Sequence, residues 1–176
     1  MNLATGAPLW LVLLLLATLV AAVIEDASRL RISNITSAAV LVEAIVAMAV
    51  EGFSTGLWQN GVAFLCVLVV GTAAFAARLL GGGDVKLLAA LALWFDLPHL
   101  VWLIAAVFIA GGLVAAAYLT TRLVTTGVAG IRNKDRRIPY GIAIAAGAVL
   151  VFASQRPELS GSHNTLPPIK IVRPAR

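Results

Sequence analysis

Six apolar runs, at residues 7–25, 35–50, 58–77, 85–97, 99–121 and 138–153, constrain the fold of this chain more than any other feature. A hydrocarbon core of about 30 Å is crossed by about 20 helical residues, so runs of this length read as membrane helices. The expectation is an all-α integral membrane protein with about six transmembrane helices in a polytopic bundle. Composition agrees, since 61% of residues are hydrophobic and only 12% charged, where soluble domains sit near half and a quarter. The 176 residues accommodate six spans with short loops and no separate soluble domain. The membrane unit is therefore assigned to residues 1–153. Residues 154–176, with Pro157, Pro167, Pro168 and Pro174 and no apolar period, read as a disordered tail. The first run is read as a permanent helix, because Met1 to Pro8 carries no Lys or Arg of the kind an export signal uses. The second and fourth runs are short. At 1.5 Å per residue, 85–97 covers only about 20 Å, which leaves Asp84 at the edge of a low-dielectric region.

The formal net charge of +5 resides in loops between apolar runs, where it speaks for topology and not for nucleic acid. Loops after the first, third and fifth runs hold nine basic residues, namely Arg29, Arg31, Arg78, Lys86, Arg122, Arg132, Lys134, Arg136 and Arg137. Loops after the second and fourth hold none. The positive-inside rule then starts the chain outside and turns Asp26 and Asp84 to the cytoplasm. Arg156, Lys170, Arg173 and Arg176 fall outside in this arrangement. Trp10, Trp58, Trp94 and Trp102 come near the outer run ends and read as interfacial anchors.

Two acids stand where apolar runs begin or end: Asp26 in Glu25-Asp26-Ala27-Ser28, and Asp84 in Gly81-Gly82-Gly83-Asp84-Val85-Lys86-Leu87. Ionisable groups at such places are costly and mark function. Two carboxyls can hydrolyse a peptide if one, ionised, deprotonates water and the other, neutral, protonates the carbonyl oxygen. A shared site separates their titrations, because ionising one disfavours ionising the other. The two lie 58 positions apart (84 minus 26), so different helices must bring them together. The three glycines offer close approach of a peptide backbone and permit positive φ and an abrupt start to the next helix. Helix packing is their simpler use. Gly81, Gly83 and Lys86 are the candidate substrate contacts, although Lys86 is off the Asp84 helix face and suited to snorkelling. Glu43 reads as a neutral carboxyl bonded to a neighbouring helix, with a third acid near the pair as the alternative. His99 is remote, His163 is in the tail, and Cys66 is a small residue in an apolar run. No disulfide, metal site or cofactor is expected.

With these residues on the page, the chain resembles the type IV prepilin peptidase family, the GxGD aspartic peptidases, and in particular the small type serving Flp (tight-adherence) pili. The GxGD signature reads Gly81-Gly82-Gly83-Asp84. The element following the family's first catalytic Asp reads Arg31-Ile32-Ser33-Asn34, with Ser33 in place of proline. Pro139-Tyr140-Gly141 resembles the start of the last core helix. The resemblance implies a multi-pass bacterial inner (plasma) membrane protein with catalytic Asp26 and Asp84 facing the cytoplasm. It implies cleavage of pilin-like precursors after a glycine that ends a short basic leader, for which Glu25, Asp26 and Asp84 are fitting partners. The cysteine pairs of the methyltransferase region in longer members are missing, so cleavage without methylation is expected. A small proton or cation transporter or channel subunit using Asp26, Glu43 and Asp84 is the alternative from another class. A catalytically silent assembly factor is a third.

Overall fold

The computed structural model describes residues 2–29, 31–52, 54–130 and 140–156. The described residues form seven helices, α1 Leu3–Gly6, α2 Leu9–Arg29, α3 Asn34–Glu51, α4 Leu57–Ala76, α5 Gly82–Ala92, α6 Leu97–Gly130 and α7 Tyr140–Gln155. Among them, α2, α3, α4 and the Leu97–Thr121 portion of α6 are long and apolar enough to cross a membrane. The all-helical membrane bundle read from the sequence is therefore the architecture observed. The bounds of the runs shift. The fourth run stops as a helix at Ala92 instead of 97, the fifth continues to Gly130, and the first is preceded by the separate turn α1.

The short α5 organises the centre. Its 11 residues rise only about 16 Å, so it begins at one end of the bundle and stops inside it. A helix end buried there leaves carbonyls that need donors. Asn60 Nδ2 takes the Leu93 oxygen at 3.0 Å and the Leu3 N–H takes the Trp94 oxygen at 3.0 Å. Trp94 is consequently not an interfacial anchor. It is fully buried, stacks edge-on against Phe152 at 6.0 Å and donates its indole N–H to the Val40 carbonyl. Trp10, Trp58 and Trp102 remain largely exposed on the bundle surface.

The turn α1 closes this end with Leu3 and Ala4 fully buried. Arg156, expected in an external tail, is instead buried and donates its guanidinium to the carbonyls of Ala4 and Ala7. Those carbonyls end a four-residue helix and have few other donors, which explains why a cation is held there. Asn2 adds a 2.6 Å bond to Gln155. Thus 154–156 continue the bundle, while the rest of the proposed tail lies outside the described residues, as do Arg132, Lys134, Arg136 and Arg137. Helices α6 and α7 meet at backbone contact. A Cβ on Gly147 would sit 2.7 Å from the Val107 nitrogen, so only glycine permits the crossing.

Candidate active site

At the opposite end of the bundle the chain turns sharply twice, once between α2 and α3 and once between α4 and α5. The first turn is tied by Glu25, whose Oε2 accepts from the Ser33 N–H at 2.9 Å and from Thr36 Oγ1 at 2.8 Å. Ser33 also caps α3 through Oγ, which accepts from the Thr36 N–H. Serine in place of proline thus has a structural use, since proline lacks the N–H that Glu25 receives. Glu25 thereby ties the turn through one carboxylate oxygen.

The second turn closes α4 with the two bonds of a Schellman motif, from the Leu79 N–H to the Ala74 oxygen and from the Arg78 N–H to the Phe75 oxygen. The left-handed residue it needs is Arg78, at φ 60°. The glycines that follow do not supply the positive φ expected of them. Gly81 has φ −76° and ψ 146°, and Gly52 is the one described glycine at positive φ. Their use is proximity. A Cβ on Gly81 would lie 2.6 Å from Asp84 Oδ2, and one on Gly83 would lie 3.0 Å from the Ile32 carbonyl oxygen. Absent side chains let α5 start against the α2–α3 turn and leave the Asp84 carboxyl its place.

Asp26, near the end of α2, is 5% exposed, and its Oδ2 accepts a 2.7 Å hydrogen bond from the Gly141 N–H. The Ile142 N–H is directed at the same carboxyl. Both donors belong to the first turn of α7, where N–H groups lack helical partners and favour negative charge. Burial works against that charge and these donors work for it. Asp84, in the first turn of α5, accepts from the Gly81 N–H at 3.2 Å and is half-buried. It lies outside the spanning helices. Burial, and next the neighbouring Asp26 carboxylate, push its pKa from 3.8 up to about 6.

Asp26 and Asp84 therefore line one cavity of about 310 Å³, together with Arg31, Ile32, Gly81, Gly82 and Gly83. Gly81 and Gly83, singled out as substrate contacts, are in its wall. Lys86 is not. Its Nζ donates to Asn34 Oδ1 at 2.8 Å beside α3. Glu43 also stands apart, buried between α2 and α3 with Thr18 Oγ1 donating to Oε1 at 2.7 Å, and Oε2 has no hydrogen-bond partner among the described residues. Arg31 and the Gly141 N–H are site components that the sequence reading placed in motifs without giving either a role at the acids. Arg31 was otherwise counted for topology, and a backbone donor has no side-chain signature. Among the described residues no three His, Cys, Asp or Glu side chains gather as metal ligands would.

An arrangement of two carboxyls in one cavity, one braced by a helix N terminus and the other holding its proton toward neutrality, suits activation of water and protonation of a carbonyl. Residues 13–118 match the model described as the type IV leader peptidase family. Comparison with curated proteins and with solved structures returned no match.

Proposed function

Because this chain belongs to the type IV leader peptidase family, we propose that it is a membrane-embedded aspartic endopeptidase that removes the leader of pilin-like precursors, cutting after a glycine. The single observation carrying the reading is that Asp26 and Asp84, from different helices, line the same cavity. In the proposed reaction Asp26, held by the Gly141 N–H, takes a proton from water as that water attacks the scissile carbonyl. Asp84 gives its proton to the carbonyl oxygen, so the tetrahedral intermediate forms neutral. Collapse breaks the C–N bond as the proton acquired by Asp26 passes to the leaving amine and a hydroxyl of the intermediate returns its proton to Asp84, which restores both carboxyls.

Arg31 in the cavity wall offers a cation near the oxygen that develops charge. The site is read as facing the cytoplasm of a bacterial inner membrane, because the described basic residues Arg29, Arg31, Arg78 and Lys86 belong to the two turns that carry the acids. Co-expression with a candidate precursor tests the proposal. Leader removal should appear as a faster-migrating band on a gel, and a precursor of unchanged size with every candidate tried would refute it.

A further inference from the structure

Lys86 has no part in the reaction as drawn, and its surroundings give it another task. It is exposed, lies outside the cavity of the acids, and lines a separate groove between α3, α4 and α5 with Asn34, Ser37 and Leu41. Its Nζ donates to Asn34 Oδ1 at 2.8 Å, across 52 positions of chain. Asn34 directly follows Ser33, whose N–H is held by Glu25, and Glu25 directly precedes Asp26. A line of hydrogen bonds and adjacent residues thus runs from the neighbour of Asp26 to the residue two positions past Asp84, without entering the cavity. The same turn meets α5 at a second point, where Gly83 packs against the Ile32 carbonyl. Gly83 and Lys86 are three positions apart, so they share a helix face and are separated by about 4.5 Å along the axis. Two points on one face set a direction, whereas one lets α5 swing. Burial of Leu87 and Leu91 holds the helix in the core, but apolar contact is non-directional. It does not aim the first turn, which carries Asp84.

We infer that Lys86 and Asn34 are a positioning pair, which fixes the first turn of α5 on the α2–α3 turn and so sets the separation of the Asp26 and Asp84 carboxyls. Its effect on rate rests on the peptidase reading above; its effect on Asp84 does not. The ionisable groups that face Asp84 are Asp26 from α2, Arg31 from the α2–α3 turn and Tyr140 from α7. The Asp26 carboxylate raises the Asp84 pKa, and that influence weakens with distance. A wider separation therefore lowers the Asp84 pKa. Loss of a nearby cation does the reverse, because a cation favours the ionised carboxyl. A positional effect and a charge effect of Lys86 thus differ in sign.

Carboxyl labelling of Asp84 across pH, in the full-length protein in detergent micelles, reads that sign directly, and single-turnover cleavage of a precursor reads its consequence. Lys86→Met and Asn34→Ala should each move the Asp84 midpoint from about 6 to lower pH and lower kcat about tenfold with KM little changed. The double variant should do no more than either single one, since both remove the same bond. Lys86→Arg, which keeps a donor of similar reach, should retain the midpoint and the rate. A midpoint moved to higher pH in Lys86→Met, with Asn34→Ala unchanged, would show Lys86 acting by charge alone and overturn the positioning role. Unchanged midpoints in both variants, with normal cleavage, would overturn it too and leave the peptidase reading intact. Midpoints moved to lower pH in a protein whose unsubstituted form cuts no precursor would leave the positioning standing and remove the peptidase reading.

Discussion

Replacing Gly141 by Ala places one methyl group against the proposed base and the tip of the Ile32 side chain. The new Cβ would lie 2.8 Å from Asp26 Oδ2, 2.9 Å from Ile32 Cδ1 and 3.0 Å from Asp26 Cβ. Ordinary contact begins at 3.4 Å, so the carboxyl must retreat by 0.6 Å (3.4 minus 2.8). Ile32 Cδ1 is the end of a flexible side chain and can turn away, whereas the Asp26 Cβ is fixed to α2, so the carboxyl takes the strain. The 2.7 Å bond from the Gly141 N–H is therefore stretched or lost. A hydrogen bond to a charged group contributes about 1.5–3 kcal/mol, and misplacing a reacting group by about 1 Å can cost ~10²-fold in rate. Cleavage by Gly141→Ala should fall roughly 10- to 100-fold in kcat, with KM little changed and the amount of protein in the membrane near wild type. Gly61→Ala, whose Cβ would meet no described atom within 4 Å, is the matched control and should be fully active. Single-turnover cleavage of a precursor in detergent measures both. A Gly141→Ala enzyme at wild-type rate would refute the idea that the α7 N terminus positions Asp26.

Other perturbations probe separate parts of the account. Asp84 is raised from 3.8 to about 6, so the rate should decline as pH rises through about 6 and the acid loses its proton; a rate still climbing at pH 8 would contradict this. The same shift makes Asp84's contribution to folded stability fully present below pH 3.8 and lost as pH rises through about 6, visible as a falling melting temperature over that window. In Asp26→Asn the charge contribution disappears while burial remains, so carboxyl labelling should report a lower Asp84 pKa that is still above 3.8. Ser33→Pro removes the N–H that Glu25 accepts and should lower stability by about 1 kcal/mol, with Glu25→Gln in the same background adding little. Cys66→Ala should retain activity, and a chelator should leave cleavage unaffected; zinc-reversible inhibition would point to a metal-dependent reaction.

The acids were legible because carboxylates at the boundaries of apolar runs are costly and stand out, and the helical class was legible because long apolar runs have few alternatives. That Asp26 and Asp84 share a cavity appears in the sequence only as a requirement of the chemistry. It depends on the turn tied by Glu25 and Ser33 and on the Schellman motif at Arg78, neither of which hydropathy reveals. Trp94 shows a different limit. Its distance along the chain suited an outer interface, but an 11-residue helix ends inside the bundle and carries the indole with it. Arg156 precedes a proline-rich stretch and looked external, whereas its partners are carbonyls of Ala4 and Ala7, supplied by tertiary structure alone. The positive φ assigned to the glycine stretch belongs to Arg78, because the helix end, not the acid-bearing turn, requires it.

The central claim is that the two carboxyls act as one unit, and single-turnover cleavage by Asp26→Asn, Asp84→Asn and the double variant tests it most directly. Each single variant should lose cleavage to the level of the double variant, since removing either partner ends the same proton exchange, while all three persist in the membrane in wild-type amounts. Processing at wild-type rate by either single variant, or losses that multiply in the double variant, would contradict it.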